Sequence, residues 1–98
     1  MSVQMVIEMP DRQGTQTILS ALEAYQARLR MNIARTERRL REFESRYQTT
    51  TEHFLAAMAA EDLAGGDLEY VEWAGEAKLL KGLESELGEL EHARYQLP

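Results

Sequence analysis

Two histidines and a set of closely spaced carboxylates are the residues whose types and spacing could do chemistry. Glu89-x-x-His92 has the i, i+3 spacing that holds a di-iron centre in helical bundles, provided both side chains project into the core. Glu69-x-x-Glu72, followed by Glu76, could contribute to a Mg²⁺ site of a metal-dependent, all-helical nucleotide hydrolase, if a second acidic motif converged from another helix. Glu37, Glu42 and Glu44 are the available companions, and they lack an E-x-x-D arrangement. His53 stands beside Phe54 with no second ligand or nucleophile near it in sequence. Gly65-Gly66 has neither the glycine spacing nor the following Lys-Ser/Thr of a phosphate loop, and reads as a hinge between helices. No catalytic residue, metal ligand or cofactor is assigned on these grounds.

The positioning elements follow from periodicity. Val3, Met5 and Ile7 alternate with Gln4, Val6 and Glu8, a weak strand signal, and Pro10 to Gly14 reads as a turn. Residues 1–14 therefore form an N-terminal extension, either strand-like or flexible, and residues 15–98 a helical hairpin domain. From about Thr17 to Tyr47, the positions Ile18, Leu22, Tyr25, Leu29, Asn32 or Ile33, Thr36, Leu40, Phe43 and Tyr47 step by three or four. They share one stripe of a helix roughly 45 Å long. Thr49 and Glu52 match a capping box for a short helix with Phe54, Leu55, Ala57 and Met58 on its apolar side, ending near Asp62. Asp67 is the expected cap of a last helix reaching about Tyr95. Trp73, Glu76, Leu80, Leu83, Leu87 and Leu90 form its seam, and Gly75 is expected to permit a close approach. On that seam, Glu89 and His92 fall on the outer face, and a solvated pair is the expected reading.

Two helices with one narrow stripe each form a hairpin that buries little on its own, so the expected architecture is all-α, a dimeric four-helix arrangement. Leu22, Leu29, Leu40, Phe43, Leu80, Leu83, Leu87 and Leu90 are its candidate core and dimer seam.

The chain has 98 residues, with 17 acidic and 11 basic side chains and a formal charge of -6. That sum conceals an asymmetry. Residues 28–46 hold seven arginines against three glutamates, and residues 61–91 hold ten acids against two lysines. The expectation is that the basic helix packs beside the acidic one. Nucleic acid is not the expected partner, because the net charge is negative and aromatic residues are not interleaved with the arginines. An alternating segment followed by a helix has the outline of a ribbon-helix-helix DNA binder, but the helix is two or three times too long and Gln4, Val6 and Glu8 make a poor ribbon. Zero cysteines exclude a disulfide framework, a thiol nucleophile and a cysteine-ligated metal. With neither a signal-peptide core nor an apolar run of membrane-spanning length, the expected location is cytoplasmic, with no membrane partner.

Phe43-Glu44-x-x-Tyr47, then Thr51-Glu52-x-Phe54, then Gly66-Asp67-x-x-Tyr70-x-Glu72-Trp73-Ala74 occur in an order that resembles small prokaryotic helical proteins of antitoxin-like type, encoded beside a small toxin gene. The resemblance covers about residues 22–92. The N-terminal extension and Gly75-Glu76 depart from it. It implies a non-catalytic protein that works by occupying another protein. Under that reading Tyr70, Trp73, Glu69, Glu72 and Glu76 are the candidate partner-binding residues, with aromatic anchors inside an acidic face. A structural homodimer without a toxin partner is the alternative.

Overall fold

A computed structural model describes residues 1–57 and 68–95. Its elements are α1 (Arg12–Tyr47), α2 (Thr51–Ala57) and α3 (Leu68–Glu91). The fold is all-α, and no strand forms among the described residues. Residues 1–9 have no regular secondary structure, so the alternating segment is not a strand within this chain.

Helix α1 begins five residues earlier than its apolar stripe suggests. The Asp11 carboxylate accepts the Gly14 backbone N–H at 2.9 Å, capping the first turn and outweighing the poor helix propensity of Gly14. The turn expected at Pro10 to Gly14 is therefore partly helix. At the other end Gln48 takes a left-handed conformation (φ 53°), and the Gln48 and Thr49 N–H groups both donate to the Glu44 carbonyl. This closes 36 residues of helix in the manner of a Schellman cap, with glutamine where glycine is usual.

The short helix starts one position later than the expected capping box. Thr50, not Thr49, accepts the His53 N–H at 3.0 Å, while the Glu44 carboxylate of α1 accepts the Thr51 N–H at 2.8 Å. A side chain from another helix thus supplies half the cap, which a local motif cannot reveal. The expected end of α2 near Asp62, the Gly65-Gly66 hinge and the Asp67 cap lie outside the described residues. Helix α3 stops at Glu91 rather than Tyr95. The Ala93 N–H reaches back only three residues to the Leu90 carbonyl, tightening the final turn and ending the helix.

Helices α1 and α3 run antiparallel, since Tyr47 meets Tyr70 at one end and Tyr25 meets Glu86 towards the other. Most of the stripe inferred from spacing is buried or half-buried, although Tyr25 stays exposed. Leu29, Thr36, Leu40 and Phe43 are buried, while Ile18, Leu22, Ile33 and Tyr47 are half-buried. On α3, Trp73 is buried and Glu76, Leu80, Leu83, Leu87 and Leu90 are half-buried. The contiguous buried cluster sits at the α2 end, where Leu40, Phe43, Phe54 and Trp73 pack together with Tyr47, Tyr70, Ala74, Ala77 and Leu80 around them; Leu29 is buried separately, further along the hairpin. Gly75 serves no close approach, because a Cβ added there meets no atom within 4 Å. The molecule is a rod, 55 Å along its longest axis.

Candidate functional site

Three helices converge on Trp73. Its indole lies flat on Phe54, with ring centroids 3.9 Å apart and planes 2° from parallel. Phe43 and Tyr47 stack beside it at 5.5 and 5.6 Å, and its Nε1–H donates to Thr51 Oγ1 at 2.9 Å. Aromatic faces supply area and the indole N–H finds a partner, which is what a buried tryptophan needs. Trp73 therefore cannot serve as an anchor for a partner: it is fully buried inside its own chain. Tyr70 is half-buried, its ring edge-on to Tyr47 and tilted against Phe54.

The opposed charges of the two long helices meet across the hairpin. Arg46 and the Tyr47 hydroxyl both donate to the Glu69 carboxylate, Arg39 donates to Glu72 at 3.0 Å, and Arg30 to Glu91 at 3.1 Å. The packing of the basic helix on the acidic one is thus realised within a single chain. Arg39 and Arg46, one heptad apart, also lie over the Phe43 ring at 4.5 and 5.9 Å, where a guanidinium is attracted to the ring face. Glu42, then Glu72, hold the Arg39 guanidinium above its ordinary pKa. Nearer the open end, the Tyr25 hydroxyl donates to Glu86, and this hydrogen bond to a carboxylate raises the tyrosine pKa above 10.0.

These contacts redistribute the candidate partner-binding set. Glu69 and Glu72 are already engaged with Arg46 and Arg39, Trp73 is interior, and Tyr70 is half covered. Glu76 is half-buried and makes no hydrogen bond or ion pair with another described residue, while Glu84 and Glu89 are exposed. Of the seam residues, Leu29, Leu40 and Phe43 are buried, whereas Leu22, Leu80, Leu83, Leu87 and Leu90 keep part of their surface in water. Glu89 and His92 are both exposed on the outer face, as the seam requires. Among the described residues no three histidine or carboxylate side chains come together as a metal site. His53 is exposed at the edge of an open depression lined by Tyr47, Gln48, Phe54 and Tyr70.

Spacing missed several working residues. Thr51 as partner of the indole, Arg39 and Arg46 as covers of Phe43, and the Tyr25–Glu86 pair all join positions 22 or more residues apart or depend on rotamers. The Asp11 cap was also missed, since Pro10 to Gly14 reads as a turn, although an aspartate just ahead of a helix is a local capping signal. No helix among the described residues is long and apolar enough to cross a membrane. No protein-family model, curated protein or solved structure matches this chain.

Proposed function

We propose that this chain is a non-catalytic protein–protein interaction module that acts as a homodimer and neutralises a small intracellular toxin. One observation carries the interaction reading. Glu69, Glu72 and the aromatic rings at the α2 end are engaged within the chain, while residues 1–9 and the open half of the hairpin leave apolar side chains uncovered, as do Leu55, Leu68 and Val71. Met1, Val3, Met5 and Val6 are more than four-fifths exposed, and Leu22, Leu83, Leu87 and Leu90 are only half-buried. Large apolar side chains left in water are what a binding partner covers. The toxin as occupant rests on the resemblance of the Phe43 to Ala74 motifs to antitoxin-like proteins. Glu76, Glu84 and Glu89 are the carboxylates best placed to meet a basic partner.

A structural homodimer without a toxin partner is the second reading. It is favoured by the engagement of Glu69 and Glu72 with arginines of the same chain, which shrinks the acidic face available to a toxin. Co-expression with the product of an adjoining toxin-sized reading frame separates the two. A co-eluting complex on size exclusion supports neutralisation; separate elution leaves the structural dimer.

A further inference from the structure

The two long helices are level at the loop end, where Tyr47 meets Tyr70, but α3 is twelve residues shorter (24 against 36). At 1.5 Å per residue, α1 therefore extends about 18 Å beyond α3, through residues 12–23, with Met9 lying against Gly14. This overhang has a distinctive composition. Residues 13–27 carry one charged side chain, Glu23, whereas residues 28–46 carry ten. A solvated helix end would be expected to be rich in charge, and depletion of charge is the compositional mark of an interface core.

Helix α2 takes the third-helix position beside α1 and α3 only at the loop end, over Leu40 and Phe43. Beside Leu55 an open groove lies between the long helices, lined by Leu40, Ala77 and Leu80, and among the described residues no helix lies over α1 and α3 beyond it. Further along, Leu87 and Gly88 of α3 and Ile33 of α1 are half-buried, and Leu22 is half-buried on the overhang. A Cβ added at Gly88 meets nothing within 4 Å, so there is room beside it.

The exposed area is large enough to receive an occupant. The chain exposes 8039 Å². A compact monomer of its 11.2 kDa mass exposes about 5,700 Å². The excess of roughly 2,300 Å² is ample for the roughly 800 Å² that each partner contributes to a standard interface.

We propose that a second copy of this chain fills the vacant third-helix position. The α1 overhangs of two molecules cross antiparallel about a two-fold axis near Leu22. Residues 12–20 of each then lie over residues 24–32 and the last turns of α3 of the other. Each copy does at the open end what α2 does at the loop end, and the exposed apolar segment 1–9 enters from the same end. This specifies the surface of the homodimer proposed above, and depends on that homodimer but not on the toxin.

The test uses the cysteine-free full chain. Light scattering is expected to give twice the 11.2 kDa chain mass. The Ile18→Glu/Leu22→Glu variant, altered only in the overhang, is expected to halve that mass while the emission of Trp73 stays unchanged. Leu22→Cys is expected to form a disulfide-linked dimer under mild oxidation, and the outward-facing Ala27→Cys is not. A monomeric wild-type chain overturns both the surface and the homodimer. A dimeric wild type whose Leu22→Cys variant does not cross-link, or whose double variant stays dimeric, overturns this surface and leaves a homodimer of other geometry. If the double variant unfolds, with Trp73 emission shifted to the red, the cross-linking result decides.

Discussion

Removing the Trp73 ring tests the claim that the α2 end holds the fold. Trp73 is fully buried, stacked on Phe54 and flanked by Phe43 and Tyr47. Truncating a tryptophan in such a site costs about 3–5 kcal/mol, combining lost transfer energy with the cavity left behind. A 98-residue domain has a total stability of about 5–15 kcal/mol. Trp73→Ala should therefore remove about a fifth or more of it, leaving at most about 2 kcal/mol if the total lies at the lower limit. The hydrogen bond to Thr51 can be resolved separately. Thr51→Val leaves the indole N–H buried and unpaired, at about 1–3 kcal/mol. Trp73→Phe removes the donor itself. The double variant should cost less than the sum of the two by about 1 kcal/mol, because the second substitution removes a group the first has already orphaned. Urea unfolding followed by far-ultraviolet circular dichroism is the assay, since the substitution eliminates the only tryptophan. Chain concentration must be fixed, because an associating protein gains stability by mass action. A cost below about 1 kcal/mol for Trp73→Ala, or strict additivity of Thr51→Val and Trp73→Phe, would refute the reasoning.

Three further outcomes follow from local geometry. The Glu86 carboxylate raises the Tyr25 pKa, so the protonated phenol is favoured in the folded state. Its contribution to stability is complete below pH 10 and is lost as pH rises through the higher folded value. Difference titration of wild type against Tyr25→Phe should show this ionisation above the ordinary tyrosine value, and Glu86→Gln should lower it; equal curves would contradict the contact. At Gly75 and Gly82 an added Cβ meets nothing, so Gly75→Ala and Gly82→Ala should each raise stability by about 0.5–1 kcal/mol, read as a higher Tm. Gln48 holds φ 53° at the end of α1, and Gln48→Gly should relieve the left-handed strain and stabilise by up to about 1 kcal/mol; a loss would show that the glutamine side chain, which donates to the Ser45 carbonyl, matters more than its backbone.

The stripes from Ile18 to Tyr47 and from Trp73 to Leu90 were readable because a packed helix face repeats every three to four residues. That repeat is a property of the chain itself. The separation of arginines and acids was equally legible, and so was the outward placement of Glu89 and His92. What Trp73 does was not. Its spacing suits a surface anchor as well as a core residue. Only the return of α2, which lays Phe54 on the indole and Thr51 against its N–H, makes it interior. The same holds for Glu69 and Glu72, which by type suit a basic partner and by geometry belong to Arg46 and Arg39.

Sequence by itself determined two long amphipathic helices of opposite charge, a short apolar helix between them, and a nearly charge-free start to the first. Each of these is encoded in local pattern. Tertiary structure decided which apolar and charged groups are consumed within the chain and which are left over. It placed the aromatic core at one end only and left α1 twelve residues longer than its companion. Burial is a property of pairs of distant segments, and no period within one segment records it.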